Sequence, residues 1–495
     1  MTSLALEAGT SPRKAPWRVA VPLAIVALIA LLPAPQGLEP HAWYFFAIFA
    51  GVIAGLVTEP LPAPAIGLIG LTTVTVLSPW VLFGRAELAK PGFKLAEESL
   101  RFALTGFSSG TVWLVFGAFM FALGYEKSGL GRRIGLLLVR KLGRRTLSLG
   151  YATTLADTIL APVTPSNTAR SAGTLFPIVN SLPPLFGSMP NEPSARKIGS
   201  YIMWTTFVAG CITSSLFMTA CAPNFLALEF IRKIAKIEIT YAQWMMGSLP
   251  FALPLLLALP LVTYWLCPPQ LKRSEEAPQW AASELATMGP PKRTEVVLGV
   301  LVLIAILLWI FAGEYVEAAT VALAVICLML VFRIVTWNDM ARNGPAWTTF
   351  TLLATLVTLA GGLSRVGFIK WFADYVGTHL GGLPPTTTML VLIAVYYFSH
   401  YMFASLTAHT TALMPVMLGV GLAIPGLPAD KLALGLAMTT GIMGVITPYA
   451  TGPGLAYYES GYLPSALFWR LGTIFGFICL GTLLLIGIPV LMLER

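Results

Sequence analysis

Charged side chains are scarce. Asp, Glu, Lys and Arg make up 11% of the 495 residues, where a soluble domain carries roughly 25%. A soluble globule of this length could not cover its surface with so few, whereas a lipid-facing surface needs almost none. With 56% hydrophobic residues, the chain reads as a polytopic membrane protein. Cysteine is sparse too: Cys211, Cys221, Cys267, Cys327 and Cys479 are odd in number and mostly lie in or beside apolar segments. They show no metal-ligand spacing, so neither a disulfide framework nor a zinc site is indicated. Only four histidines occur, and His400, nine residues before His409, comes with no His-Glu-x-x-His or Cys-x-x-Cys pattern; no metal and no cofactor is expected. Acidic residues, 22 against 31 Lys and Arg, leave a net charge of +9, which membrane topology explains better than nucleic acid.

What the chain has in quantity is glycine and proline, 45 and 37 residues. They suit helices that break, which a membrane tolerates only where protein or a watery cavity satisfies the freed backbone groups. Apolar runs long enough to cross about 30 Å of hydrocarbon fall near 17–34, 41–58, 61–84, 107–125, 198–222, 247–267, 295–312, 315–335, 346–363, 430–456 and 464–493. Two more, 147–182 and 384–421, are too long for one span and are interrupted by polar or proline residues. The expected fold is therefore all-α: about eleven transmembrane helices plus two re-entrant helical hairpins. Arg13, Lys14 and Arg18 ahead of the first apolar run suit an uncleaved first span. Most basic residues, including the cluster in 127–145, then fall on the inside, which places the N-terminus in the cytoplasm and the C-terminus outside a cytoplasmic membrane.

Residues 268–294 form the only long polar interior stretch and read as a linker between halves 1–267 and 295–495. The halves carry matching motifs. Ser166-Asn167-Thr168-Ala169 precedes Pro177, and Ser405-Leu406-Thr407-Ala408 precedes Pro415, 239 residues apart; Gly129 and Gly367 repeat at an offset of 238. Two anchors at nearly one offset point to a duplication, and the five spans between the hairpins make the repeats inverted. Each hairpin tip sets Ser and Thr where helix ends leave backbone N–H groups unpaired, a place suited to a carboxylate. The plainer alternative, Ser and Thr capping broken helices, loses ground because the cluster occurs twice. Each half also has a second break: Thr219, Pro223 and Asn224 in one, Thr447, Pro448 and Thr451 in the other. A simple kink is the alternative there.

The segments TPSNTARSAGTLFPIV (164–179), ASLTAHTTALMPVM (404–417) and GIMGVITPYATGPGLAYYESGYLP (441–464) resemble the divalent anion:sodium symporter family. They are most similar to its branch of bacterial citrate, tartrate and succinate antiporters and plastid 2-oxoglutarate/malate translocators. The resemblance covers essentially the whole chain. It implies a homodimeric secondary transporter, not an enzyme, in which a transport domain moves against a scaffold as an elevator and exchanges di- or tricarboxylates. It also implies substrate contacts at Ser166, Asn167, Thr168, Ser405, Thr407, Thr447 and Pro448. Two departures from the sodium-coupled members stand out. Leu406 replaces Asn at the second tip, and Arg170 and His409 each stand two positions after the tip Thr. Basic groups there could serve electrostatically in place of bound sodium. The alternatives are an Arg170–Asp157 ion pair and an ordinary packed His409. A sodium-coupled dicarboxylate symporter is the rival reading of the whole chain. Small organic anions and membrane lipids are the expected partners, with the basic run 127–145 on anionic lipid.

Overall fold

The computed structural model describes residues 16–379 and 384–493; Arg13 and Lys14, used above for orientation, lie outside the described residues. Among the described residues, six helices are long and apolar enough to cross a membrane: Pro40–Thr58, Tyr241–Leu266, Arg293–Phe311, Gly344–Arg365, Leu406–Ala423 and Ser465–Leu493. Trp17–Leu31, Ala63–Val76 and Ala318–Val331 are shorter apolar helices. Among the described residues, secondary structure beyond one isolated bridge between Arg145 and Arg273 is helical. The chain is an all-helical, multi-pass membrane protein.

The same order of elements occurs in both halves. Helix Gly110–Ser128 ends at Gly129, whose φ of 82° turns the chain into the amphipathic helix Leu130–Leu142. Gly344–Arg365 is followed by Gly367, φ 84°, and the amphipathic Phe368–His379. Left-handed backbone is what glycine permits at such a helix end. Next comes a pair of arms. In the first half these are Thr146–Leu160 and the return arm Thr168–Leu175 with Phe176–Asn180; in the second, Pro385–Ser399 and Leu406–Leu422. Last come the broken helices: Gly199–Leu216 then Ala222–Phe230, and Ala429–Ile442 then Gly452–Glu459. The second arm Leu406–Leu422 is itself long enough to span, so the apolar stretch 384–421 differs from 147–182 in having one full-length arm.

Two groups of helices follow from the packing. Gly110–Ser128 and Gly344–Arg365 lie together, with Ala63–Val76, Arg293–Phe311 and Ala318–Val331 against them. The broken helices Gly199–Leu216 and Ala429–Ile442 cross at Gly441, where a Cβ would come within 2.4 Å of the Ser215 backbone nitrogen; the Ile442 N–H donates to Ser215 Oγ there at 2.9 Å. The two pairs of arms pack around that crossing.

The polar stretch 268–294 is more than a linker. It contains helix Glu276–Met288, which packs on Leu130–Leu142. Arg132 pairs with Glu284 at 2.5 Å, Arg133 with Glu295, and Lys127 with Asp339 at 2.6 Å. Lys127 holds the Asp339 carboxyl down at about 2. Three basic residues of the run 127–145 thus face protein carboxylates that are distant in sequence, and Arg140 is among those that remain exposed.

Candidate functional site

The two tips are built alike. Ser166 Oγ accepts from the Ala169 N–H at 3.1 Å, and Ser405 Oγ accepts from the Ala408 N–H at 3.3 Å. Both serines therefore act as N-caps. The threonines two positions on are left over: among the described residues neither the Thr168 nor the Thr407 hydroxyl makes a hydrogen bond, and neither side chain is buried. The return arm Thr168–Leu175 is a π-helix, a form that occurs frequently at functional sites.

Each tip meets a break. Asn167 Nδ2 donates to Thr451 Oγ1 at 2.9 Å, and a Cβ on Gly452 would lie 2.4 Å from Thr168 Oγ1; glycine is what lets the first tip and the second break approach. The two tips, the break residues Pro223, Thr451 and Gly452, and the side chains of Phe119 and Thr349 enclose a cavity of about 220 Å³. Among its described lining residues none is acidic. It adjoins a cavity of about 480 Å³ through Phe119, Ser166 and Thr168. That one in turn shares Tyr125, Glu126, Gly173 and Thr174 with a third, of about 660 Å³, which ends among Lys127, Arg132 and Lys292.

Of the residues singled out in the sequence, Ser166, Asn167, Thr168, Ser405, Thr407, Pro223 and Thr451 meet in this cavity. Thr219 and Asn224 do not line it. Asn224 Nδ2 donates to the Ser214 carbonyl at 2.7 Å and closes a backbone group freed by the break, while Thr219 donates to the Pro162 carbonyl and ties the break to the chain just before the first tip. Thr447 and Pro448 are buried and do not line it; Thr447 Oγ1 has no partner among the described residues.

Arg170 is fully buried. Its Nε donates to Asp157 Oδ1 at 3.1 Å, Nη1 to the Thr164 and Ala220 carbonyls at 3.0 and 2.8 Å, and Nη2 to Ser214 Oγ at 3.0 Å. Thr213 Oγ1 bonds the other Asp157 oxygen. The guanidinium thus joins the first tip loop to the first break, surrounded by oxygens, with Asp157 balancing its charge. His409 is also buried, and its ring lies against Tyr396, Phe403 and His400, with centroids 4.4, 5.0 and 5.0 Å away. Its Nε2 is 3.0 Å from Ser399 Oγ. Neither side chain points a free charge at the cavity.

Phe119 and Thr349 escaped sequence reading. Each sits inside an uninterrupted apolar helix with no break or repeated motif beside it to mark it.

A model of the "Sodium:sulfate symporter transmembrane region" matches residues 13–493. The chain belongs to the sodium:sulfate symporter family. Within the family it is 50% identical over 475 residues to the "Citrate/succinate antiporter" of Escherichia coli (strain K12), covering 96% of this chain and 98% of that one. It is 49% identical over 481 residues to the "L-tartrate/succinate antiporter" of the same strain, covering 96% and 99%. Among solved structures, the Alcanivorax borkumensis YdaH transporter aligns with a TM-score of 0.56 at 16% identity, covering 87% of this chain and 97% of that one, a likeness of fold alone. The sodium:sulfate symporter family and these relatives are transporters, which is what the tip motifs implied.

Proposed function

We propose that this chain is an antiporter that exchanges one di- or tricarboxylate for another across the bacterial inner membrane. One observation carries the reading: Thr168 and Thr407, at equivalent places in two tips from the two halves, present to one cavity, beside helix N-termini, hydroxyls without a partner among the described residues, and no described residue of the cavity wall is acidic. Such a place stabilises carboxylates, and citrate, succinate and tartrate, which the two relatives' names give, all carry at least two. The matching element order supports an inverted repeat of about eleven spans and two hairpins, with the N-terminus inside and the C-terminus outside. The packing of Gly110–Ser128 and Gly344–Arg365 with Ala63–Val76 and Ala318–Val331 on one side, and of the two pairs of arms around the crossing broken helices on the other, supports a fixed scaffold and a moving transport domain that meet at the cavity, arranged as a homodimer as the resemblance implies.

Coupling follows from Arg170 and Leu406. A hard cation needs oxygen ligands. At the first tip the oxygens of Asp157, Thr164 and Ala220 are already occupied by the guanidinium, and at the second Leu406 supplies no side-chain oxygen. Purified protein in vesicles is therefore expected to take up labelled succinate only when carboxylate is loaded inside, equally in sodium and in choline. Sodium-driven uptake into empty vesicles would make it a symporter instead.

Thr349 lies on the scaffold side of the cavity, within the reach of whatever part of the substrate projects from the tips. A hydrogen bond to a charged group is worth about 1.5–3 kcal/mol. Competition assays on Thr349→Val should therefore shift the tartrate-to-succinate preference by about tenfold, with succinate exchange retained. An unchanged preference would take Thr349 out of the site.

A further inference from the structure

His400 lies at the apex of the second hairpin, fully buried, and is no part of the cavity wall. Its Nε2 is 3.0 Å from the Ala450 carbonyl. Ala450 stands three residues before Pro453 of the second break, as Ala220 stands three before Pro223 of the first, and the Ala220 carbonyl is the one that Arg170 Nη1 holds at 2.8 Å. Equivalent break carbonyls are thus each bonded by a nitrogen donor from the hairpin of their own half. A carbonyl can only accept, so the proton of His400 is on Nε2. The neighbouring imidazole does not compete for that role. Ser399 Oγ donates its one proton to the Tyr396 carbonyl at 2.7 Å, so it accepts from His409 Nε2, and His409 is held within its own hairpin.

We propose that His400 is the positioning residue of the second break, doing with a neutral N–H on Ala450 what Arg170 does with a guanidinium on Ala220. The next residue, Thr451, receives the Asn167 side chain of the first tip. His400 therefore completes a ring: first tip to first break through Arg170, second tip to second break through His400, and first tip to second break through Asn167 and Thr451. Tyr449 Oη donates to the Tyr401 carbonyl at 3.1 Å and ties the same apex to the same break, so loss of His400 shifts the break without releasing it. This inference rests on the site lying between the tips.

The test compares H400F, which keeps a planar ring without a donor, with H400Q, whose amide nitrogen can replace Nε2, in the full chain in vesicles with succinate as probe. H400F is expected to raise the KM for succinate about tenfold, the cost of one hydrogen bond to a group that orders the site, with kcat little changed, and H400Q to restore it to within about threefold. On a Thr451→Val background, H400F should have a much smaller effect, since both act on the same contact. A wild-type KM in H400F, a Gln variant as poor as the Phe variant, or additive effects with Thr451→Val would overturn the proposal. A wild-type KM in H400F beside lost affinity in Thr168→Ala overturns this inference alone; a wild-type KM in Thr168→Ala overturns the tip reading and this inference with it. Should H400F fail to insert, nitrogen-15 NMR of the histidine-labelled wild-type chain decides: a proton on Nε2 of His400 supports the role, and a proton on Nδ1 alone excludes it.

Discussion

Arg170→Thr is expected to cut succinate exchange to less than about a tenth, and sodium is expected to restore part of it in the variant while leaving the wild type indifferent. Removing the guanidinium strands a buried Asp157 carboxylate, and breaking a buried pair from one side costs about 3–5 kcal/mol. It also releases the Thr164 and Ala220 carbonyls, so the tip loop and the break lose their common anchor. What remains is a cluster of oxygens from Asp157, Thr164, Ala220 and Ser214, the ligand set a hard cation prefers. Thermal unfolding in detergent and exchange in vesicles, each in sodium and in choline, read this directly. Arg140→Thr, on the exposed side of the surface helix, is the control and should behave as wild type. Wild-type exchange by Arg170→Thr, or sodium acting alike on both proteins, would remove Arg170 from the place of a cation.

Thr168→Ala and Thr407→Ala should each weaken succinate binding about tenfold or more, since each deletes a hydroxyl that can bond a carboxylate at about 1.5–3 kcal/mol. The neighbouring serines predict a different pattern. Because Ser166 and Ser405 cap their helices, their alanine variants should lower thermal stability as well as affinity, whereas the threonine variants, whose hydroxyls bond nothing among the described residues, should lower affinity alone. Binding titrations paired with melting curves separate the two. If both threonine variants bind as wild type, the tips are not where the anion sits.

The membrane class, the breaks and the two tips were legible because each leaves a compositional mark: missing charge, clustered proline and glycine, a motif written twice. Serine as cap and threonine as free hydroxyl could not be separated from the motif, since the two side chains share their chemistry and differ here only in which N–H lies nearby. The partners of Arg170 were half legible. Asp157 is a side chain thirteen residues away on the facing arm, but the Thr164 and Ala220 carbonyls are backbone, and backbone acceptors have no letter of their own. The same holds for His400, dismissed as a metal ligand for want of a motif when its partner is the Ala450 carbonyl. Helix Glu276–Met288 was hidden by its polarity: it packs on the amphipathic helix Leu130–Leu142 with too few apolar residues to mark it as more than linker.

The Asp157–Arg170 pair also bears on how the chain is made. A lone Asp or Arg entering the middle of a bilayer helix is penalised by about 2.5–3.5 kcal/mol on insertion scales. During synthesis the outgoing arm, with Asp157, emerges before the arm that carries its counter-ion. Delivering the two arms together, with the Asp157 and Arg170 charges already cancelled, avoids that cost. The remaining anchors of Arg170, on Gly210, Ser214 and Ala220, follow within 50 residues, while Thr451, which leans on Asn167, is 284 residues further along. The anchors of Arg170 are thus all synthesised long before Thr451, and closing the cavity brings a late-made wall up to an early-made tip.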